Sequence, residues 1–310
     1  MKYTNDLGLP QPIVDVIVND DYDAGDSDIS VTSLIAPAQK VALEKLHKDE
    51  IVKDVSEEIY ALMGKTIHNI LEKADNSKFK EQRLFMDVNG WKVSGQFDRI
   101  NISDNALQDY KISSVWEYIH GIKQDRIEQL NCYAALIKEN TDIEIKKLEV
   151  IFIFRDWSKS KAKYDGSYPQ NQIAIVEIPL WESNHTKAFM ELKVEQHKSA
   201  QDELNMRGAP ECTDEERWKD PTKHAVVRTG NVKASRVLDT AEEAEEWLQK
   251  NNSGLDMSIE VRHGKAKRCE NYCHAAPFCN QYKSEMQVKK IIDSIHDVGK
   301  PLMEILNDTE

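Results

Sequence analysis

Asp109 and Lys111 stand two residues apart in Leu107-Gln108-Asp109-Tyr110-Lys111-Ile112, and a second acid, Asp98, lies eleven residues upstream in Gly95-Gln96-Phe97-Asp98-Arg99-Ile100. Both stretches predict β-strands. In a strand, residues two apart point to the same face, so a carboxylate and an ammonium project side by side. A hairpin turning at Ser103-Asp104 sets Asp98 opposite Asp109, and one turning at Asp104-Asn105 sets it opposite Lys111. Cross-strand partners share a face, so either register gathers the three charges. Two acids and a lysine on one patch make a divalent-metal site with a fixed positive charge beside it, the chemistry of phosphodiester hydrolysis. Taken alone, the same residues also describe a solvated strand face with a weak ion pair. The neighbouring elements decide between these.

Upstream, Gly64-Lys65-Thr66-Ile67-His68-Asn69-Ile70-Leu71-Glu72 predicts a helix in which Leu62, Ile67, Ile70 and Leu71 follow the helical period. His68 and Glu72, four apart, share one helix face. Downstream, Gln129 and Tyr133 are also four apart, on a helix that buries Ile122, Leu130, Ala134 and Ile137. Singly, each has a plain structural role: a satisfied helical histidine, and a polar edge beside a core face.

In chain order the set reads Gly-x-x-x-His on a helix, a hairpin, Gly-x-x-Asp, a turn, Asp-x-Lys, and a helix carrying Gln-x-x-x-Tyr, all within residues 64–133. This resembles the PD-(D/E)XK nuclease superfamily and, within it, the RecB-like exonucleases that include the CRISPR-adaptation and AddB-type nucleases. Phe97, not proline, precedes Asp98, as in many RecB-like members, and no cysteine lies upstream of His68, where iron-sulfur members usually have one. The resemblance implies that His68, Asp98 and Asp109 ligate Mg²⁺ or Mn²⁺ with the backbone carbonyl of Tyr110, and that Glu72 is an additional ligand. Oxygen-rich ligation suits these hard cations, and the histidine leaves room for manganese. Lys111 then orients or deprotonates the attacking water and offsets charge on the scissile phosphate. Gln129 and Tyr133 touch the DNA backbone or support the site from behind.

A second constellation lies near the end of the chain. Of five cysteines, three cluster as Cys269-x3-Cys273-x5-Cys279, and Cys212 stands apart in Glu211-Cys212-Thr213-Asp214. Such clustering in a cytosolic chain points to metal ligation rather than disulfides. Three sulfurs plus a distant fourth close a four-thiolate site. RecB-like nucleases often carry a [4Fe-4S] cluster on a C-terminal three-cysteine group with one distant cysteine; here the distant one follows the nuclease core instead of preceding it. Zn²⁺ accepts four thiolates equally well, and His263 or His274 could replace one. Cys132, between Gln129 and Tyr133, reads as a small buried side chain.

Composition bounds the rest. With 310 residues, 40% hydrophobic and 31% charged, the chain has the make-up of a soluble globular protein of one large or two modest domains. No apolar stretch approaches the roughly 18 residues of a membrane span, and the first residues lack a signal-peptide core. These features with free cysteines predict a cytoplasmic protein (host cytoplasm if phage-encoded) and no membrane partner. A net charge of −13 argues against unspecific coating of DNA, but basic patches can be segregated, at Arg155 to Lys163 and at Lys265, Lys267 and Arg268. No Gly-x-x-x-x-Gly-Lys-Ser/Thr run occurs, so a fused helicase is not expected.

The organisation expected is an acidic N-terminal segment, 1–35, largely loop or disordered to residue 30; a nuclease core, 36–209; and a C-terminal module with the cysteine cluster, 210–310. The fold class is α/β, a restriction-endonuclease-like core with a mixed central sheet flanked by helices and a small C-terminal α+β module. Helices are expected at about 37–48, 52–75, 114–139 (broken near Gly121), 181–207, 240–250 and from 281, with strands about Asn89-Gly90, at 148–154 and 172–180, and three more beyond Pro210. Val150-Ile151-Phe152-Ile153-Phe154 reads as a central strand buried on both faces. The expected activity is metal-dependent DNA hydrolysis, an exonuclease acting on single- or double-stranded ends, with a recombination or replication protein as possible partner. The rival is a catalytically idle nucleic-acid-binding or assembly protein; a third reading makes the cysteine module a zinc ribbon that recruits a partner.

Overall fold

The computed structural model describes residues 1–19, 25–75, 80–204, 210–231, 233–251 and 256–298. The chain divides into two units, residues 1–210 and 211–310. The first runs β1 (Lys2–Thr4), α1 (Gln11–Val18), β2 (Ile29–Ser30), α2 (Val31–Leu34), α3 (Ala38–Leu46), β3 (Val52–Asp54), a 3-10 turn at Val55–Glu58, α4 (Ile59–Ala74), β4 (Lys80–Val88), β5 (Trp91–Asn101), β6 (Ala106–Ser113), α5 (Val115–His120), α6 (Gln124–Asn140), β7 (Lys147–Phe154), α7 (Lys159–Tyr164), β8 (Ile173–Ile178) and α8 (Ser183–Leu204).

This unit is α/β, with a mixed six-stranded sheet flanked by helices. The hairpin β4–β5 turns at Asn89 and Gly90, whose φ angles of 48° and 74° are the backbone of a two-residue hairpin turn. Its register pairs Asp87 with Lys92. The sheet continues β2-β5-β6-β7-β8: β5 and β6 are antiparallel, β6 and β7 parallel, β7 and β8 antiparallel. The parallel step needs a crossover, and α5–α6 supply it, parted at Gly121 where φ of 102° ends α5. β7, between β6 and β8, buries Leu148, Val150, Phe152 and Phe154 almost completely. Facing them, α6 contributes Leu130, Leu136 and Ile137 to one core shared with Val93, Ile100 and Leu107.

One feature of the sheet positions the site. The eleven-residue β5 serves β4 along one edge. Its other edge pairs with β2 at Val93 and Ser94, then with β6 only from Arg99 to Asn101. Between these stretches β5 and β6 part, and β6 presents Tyr110 to the gap.

The second unit is a three-stranded antiparallel sheet, order β10-β9-β11, of β9 (Lys223–Arg228), β10 (Arg236–Leu238) and β11 (Met257–Arg262). Helices α9 (Ala241–Asn251), α10 (Lys267–Asn271) and α11 (Asn280–Val298) accompany it, with a 3-10 turn at Ala276–Phe278. Thr240 caps α9 through the amide of Glu243, and Glu243 reaches back to the amide of Asp239, the reciprocal arrangement of a capping box.

Three local expectations are corrected. The acidic first thirty residues are not all loop: they contain β1, α1 and β2, with Ile17 and Ile29 buried. A two-residue strand has no period to read, and its pairing comes from Lys92 donating to Asp28 and from the ladder to β5. The helix expected from 52 begins at Ile59, because Val52–Asp54 pair with β1 and the Asp54 carboxylate accepts from the Ser56 amide, capping a tighter turn first. The Lys159–Tyr164 stretch, where no helix or strand was expected, forms α7, capped by Ser158. The tail break expected near Gly299 to Pro301 lies outside the described residues.

Candidate active site

The β5–β6 register selects between the two hairpins: Arg99 pairs Gln108, Ile100 pairs Leu107 and Asn101 pairs Ala106. One step further, Asp98 lies opposite Asp109. The ladder stops before that step, which frees the Tyr110 backbone for other partners. Its amide donates to Asp98 Oδ2 at 2.7 Å, and its carbonyl oxygen lies 3.1 Å from His68 Nε2. The other ring nitrogen, Nδ1, is 3.2 Å from Asp98 Oδ1. An imidazolium donates to both oxygens and a neutral ring to one. Thus α4 places His68 over the gap, and His68, Asp98 and the Tyr110 carbonyl converge.

Asp109 is 2% exposed, and its Oδ2 is 2.6 Å from Lys111 Nζ. That oxygen is in ionic contact but accepts no well-directed hydrogen bond, so a buried acceptor is left with capacity. Burial drives the Asp109 carboxyl above the ordinary carboxylate range; Lys111 and Arg126 oppose the rise, and the negative charge of Asp98 adds to it. A charge so desolvated next to an amine differs from a surface ion pair. Among the described residues, no three His, Cys, Asp or Glu side chains stand ready to hold a metal ion by themselves.

α6 backs the site. Gln129 and Tyr133 are buried, and Gln129 Nε2 donates to Tyr133 Oη at 2.9 Å and approaches Thr32 Oγ1 on α2 at 3.5 Å. Burial raises the Tyr133 phenol above its usual value, with Asp109 next in effect and Asp98 also contributing. The helix comes this close because residue 95 is glycine: a Cβ there would meet Leu136 Cδ1 at 2.6 Å and Tyr133 Cε1 at 2.8 Å. Glu72 is exposed, and its side chain makes no contact with the group; its backbone carbonyl accepts from Lys80. Cys132 is fully buried and its thiol held protonated by that burial.

A set of residues that the motif order did not reveal adjoins this group. Ser113 follows Asp109 and Lys111 at the two-residue spacing of one strand face, and its Oγ donates to Glu117 Oε2 at 2.8 Å. Glu117 also receives Arg126 Nε on Oε1 at 3.3 Å and Lys123 Nζ near Oε2 at 3.4 Å. Only the spacing of Arg126, Gln129 and Tyr133 at i, i+3 and i+7 on α6 could have pointed there.

The basic stretch after β7 is tied to aromatic rings: Arg155 lies 4.5 Å from the Tyr60 ring centre, and Lys161 and Lys163 approach Tyr168 and Tyr164. In the second unit Lys267 pairs with Asp220, and Arg268 stacks 4.1 Å over Trp218.

No disulfide joins any of the five cysteines. Cys212 is clamped through its backbone, its amide donating to Gln281 Oε1 at 3.0 Å and its carbonyl accepting from Gln281 Nε2 at 2.9 Å. Burial pushes its thiol up to about 12, and Glu216, Cys279, Cys269 and Cys273 each add to the rise. Arg217, 3% exposed, pairs with Glu285, and its acidic and thiol neighbours outweigh burial in raising its guanidinium.

No helix among the described residues is long and apolar enough to cross a membrane. No protein-family model matches the chain, and no curated protein matches it. Among solved structures, SSO0001 aligns with a TM-score of 0.42 at 19% identity, over 59% of this chain and 83% of that one. A phage-related exonuclease from Haemophilus somnus 129PT aligns with a TM-score of 0.26 at 12% identity, over 60% and 78%. Likenesses of that size leave the reading of the site to its own geometry.

Proposed function

We propose that this chain is a divalent-metal-dependent nuclease that hydrolyses phosphodiester bonds of DNA, an exonuclease of the PD-(D/E)XK type on a restriction-endonuclease-like core. The observation that carries the reading is the gap between β5 and β6. It leaves Asp109 Oδ2 buried beside Lys111 and draws Asp98, His68 and the Tyr110 carbonyl together. The donor set, two carboxylates, one carbonyl and one imidazole, fits Mg²⁺ or Mn²⁺, and a buried carboxylate oxygen with unused capacity fits it further. Asp98, Asp109, the Tyr110 carbonyl and His68 would hold the ion, with water filling the positions that side chains leave open. When bound, the ion polarises a phosphoryl oxygen and eases deprotonation of water.

The chain's own groups do the rest. Lys111 Nζ, held by Asp109, donates to the attacking water and offsets the negative charge that gathers on the phosphoryl oxygens. As water oxygen bonds to phosphorus it releases a proton to solvent, the bond from phosphorus to the leaving sugar oxygen breaks, and that oxygen takes a proton from solvent. Asp98 fixes the Tyr110 peptide so that its carbonyl stays aimed at the centre. Gln129 and Tyr133 keep α6 against β5 behind it. The test is digestion of end-labelled linear DNA with Mg²⁺ or Mn²⁺: the wild-type chain degrades it, and Asp109→Asn and Lys111→Ala do not. Equal digestion by both variants overturns the assignment, and binding of DNA without digestion under either metal makes the chain a binding or assembly protein.

For the second unit we propose a structural centre on Cys212, Cys269, Cys273 and Cys279, a [4Fe-4S] cluster, with Zn²⁺ the other centre that four thiolates enclose. Four protein ligands leave no position for substrate. Anaerobic purification distinguishes the two: a brown sample with about four irons per chain is the cluster, and a colourless one with zinc is not.

A further inference from the structure

Glu117 is 3% exposed and carries its carboxylate at the end of β6, where Ser113, in line with Asp109 and Lys111, donates to it. Strand rise separates Lys111 from Ser113 by roughly 7 Å. Two cations converge on this one acid: Arg126 through Nε and Lys123 through Nζ. With Asp125 also within 3.9 Å of Arg126, two cations balance two acids here, in a chain whose net charge is −13. Burial alone would raise the Glu117 carboxyl, but Arg126, Ser113 and Lys123 hold it below its usual range, so the anchor stays charged.

The manner of pairing is informative. A guanidinium that serves only to link two helices offers its fork to the acid. Arg126 instead uses Nε on Glu117, with Asp125 Oδ1 a further 3.9 Å from the same nitrogen. Its two Nη nitrogens make no hydrogen bond among the described residues, and a quarter of the side chain, 24%, faces solvent. Arg126 lies on the face of α6 that carries Gln129 and Tyr133, the face packed against β5. The open fork therefore sits on the site's side of the helix.

We propose that Arg126 and Lys123, organised by Glu117, form a phosphate-binding subsite that grips the nucleic-acid backbone next to the phosphate being cut. The proposal rests on the nuclease reading. Arg126 touches substrate through two N–H donors on one phosphate, a geometry suited to a free guanidinium fork. Glu117 is a positioning residue that acts through Arg126. By fixing a neighbouring phosphate, the pair sets the scissile one over Asp98 and Asp109 without adding a ligand there.

The experiment measures binding of fluorescein-labelled single strands and duplexes by anisotropy in EDTA, across a range of KCl, beside KM and kcat with Mg²⁺. Arg126→Gln is expected to weaken binding about tenfold and to lower the slope of log affinity against log salt by about one. Arg126→Lys is expected to restore the slope but not the full affinity, because an ammonium keeps the charge and loses the fork. Lys123→Gln should cost about threefold, with a partial loss of slope. Glu117→Gln should raise KM while kcat stays within about twofold, and adding Arg126→Gln to it should cost little more. An Arg126→Gln chain that melts earlier but binds with unchanged affinity and slope overturns the subsite in favour of a purely structural ion pair. If the wild-type chain neither binds nor cuts DNA, the nuclease reading falls; if it cuts while Arg126→Gln and Arg126→Lys keep wild-type KM and slope, only the subsite falls.

Discussion

The two units hold their chemistry in different ways. In residues 1–210 the reactive groups stand on a sheet packed by large side chains, among them Phe152, Phe154, Leu130, Leu136 and Ile100, all nearly inaccessible. In residues 211–310 the buried apolar side chains among the described residues are Ala225, Val226, Ala244, Ala266, Ala275, Ala276 and Cys279. None is larger than valine. Burying a leucine or phenylalanine contributes about 1.5–3 kcal/mol, and alanine far less. The first unit can therefore fix acids in an uncomfortable arrangement through packing alone, as the raised Asp109 carboxyl and the close approach at Gly95 attest. The second has little core to do this with, and small domains of that kind are ordinarily stapled by metal or disulfide. With the cysteine centre proposed above, the difference would separate a site that packing makes from a fold that a site makes.

Breaking the first half of that contrast should have the largest effect. Asp109→Asn keeps the shape of the side chain and removes its charge. Nuclease activity on linear DNA is expected to fall about a thousandfold or more, with the metal content of the cysteine centre unchanged by elemental analysis. If activity and cysteine-bound metal are lost together, the two regions are not independent as drawn.

Cys212→Ser tests the second half. If the proposed centre is present, it loses one thiolate of four, and a unit lacking large buried side chains among the described residues loses its staple. Metal binding in domains of this type is folding free energy, so the expectation is loss of the centre and of cooperative melting in residues 211–310, read by limited proteolysis and by bound iron or zinc. A unit that melts as before without metal would show that alanine-scale packing suffices.

Gly95→Ala pushes on the packing of the first unit. The added methyl would lie under 3 Å from Leu136 and Tyr133 side chains, and overpacking of this sort costs about 1–3 kcal/mol. A lowered denaturation midpoint is expected, with reduced activity as Tyr133 is displaced.

Asp109 also makes a stability prediction with a definite sign. Its folded carboxyl is raised by burial, so the native state favours the proton. That stability is fully present below the ordinary carboxylate value of roughly 4 and is lost as pH rises through the raised one. In EDTA, Asp109→Asn should melt a few degrees above wild type at pH 8, and the gap should narrow toward pH 4. A gap that widens on acidification contradicts the burial argument. Inactive but more stable is the behaviour expected when a site is strained by its own charges.

How much of this was written in the sequence depends on the range of the signal. Two-residue alternation and an Asn-Gly turn are local, and they were enough to set β4, β5 and β6 and to put Asp98, Asp109 and Lys111 on one face. The hairpin alternatives differed by one residue, which local pattern does not resolve; the ladder did, with Asp98 opposite Asp109. β2 was illegible because two residues inside an acidic run carry no period, and only pairing to Val93 and Ser94 defines them. Glu117 carried no signal of its own, since its partners Ser113, Lys123 and Arg126 meet it only in the assembled fold. The parting of β5 from β6, on which the site depends, follows from β5 sharing one edge between two partners, a property of the assembled sheet.

Glu72→Ala should have the smallest effect, and for that reason it tests where the site ends. Glu72 shares a helix face with His68, yet it is exposed, and its carboxylate touches none of the converging groups, whereas His68 reaches both Asp98 and the Tyr110 carbonyl. Removing an exposed side chain with no side-chain partner among the described residues changes stability by less than about 0.5 kcal/mol, and kcat should stay within about twofold of wild type. His68→Ala, one turn earlier, should cost about ten- to a hundredfold. A loss at Glu72 as large as that at His68 would mean that α4 turns or extends when DNA binds, so that the packed sheet alone does not set the geometry and the first unit, like the second, is completed by what it holds.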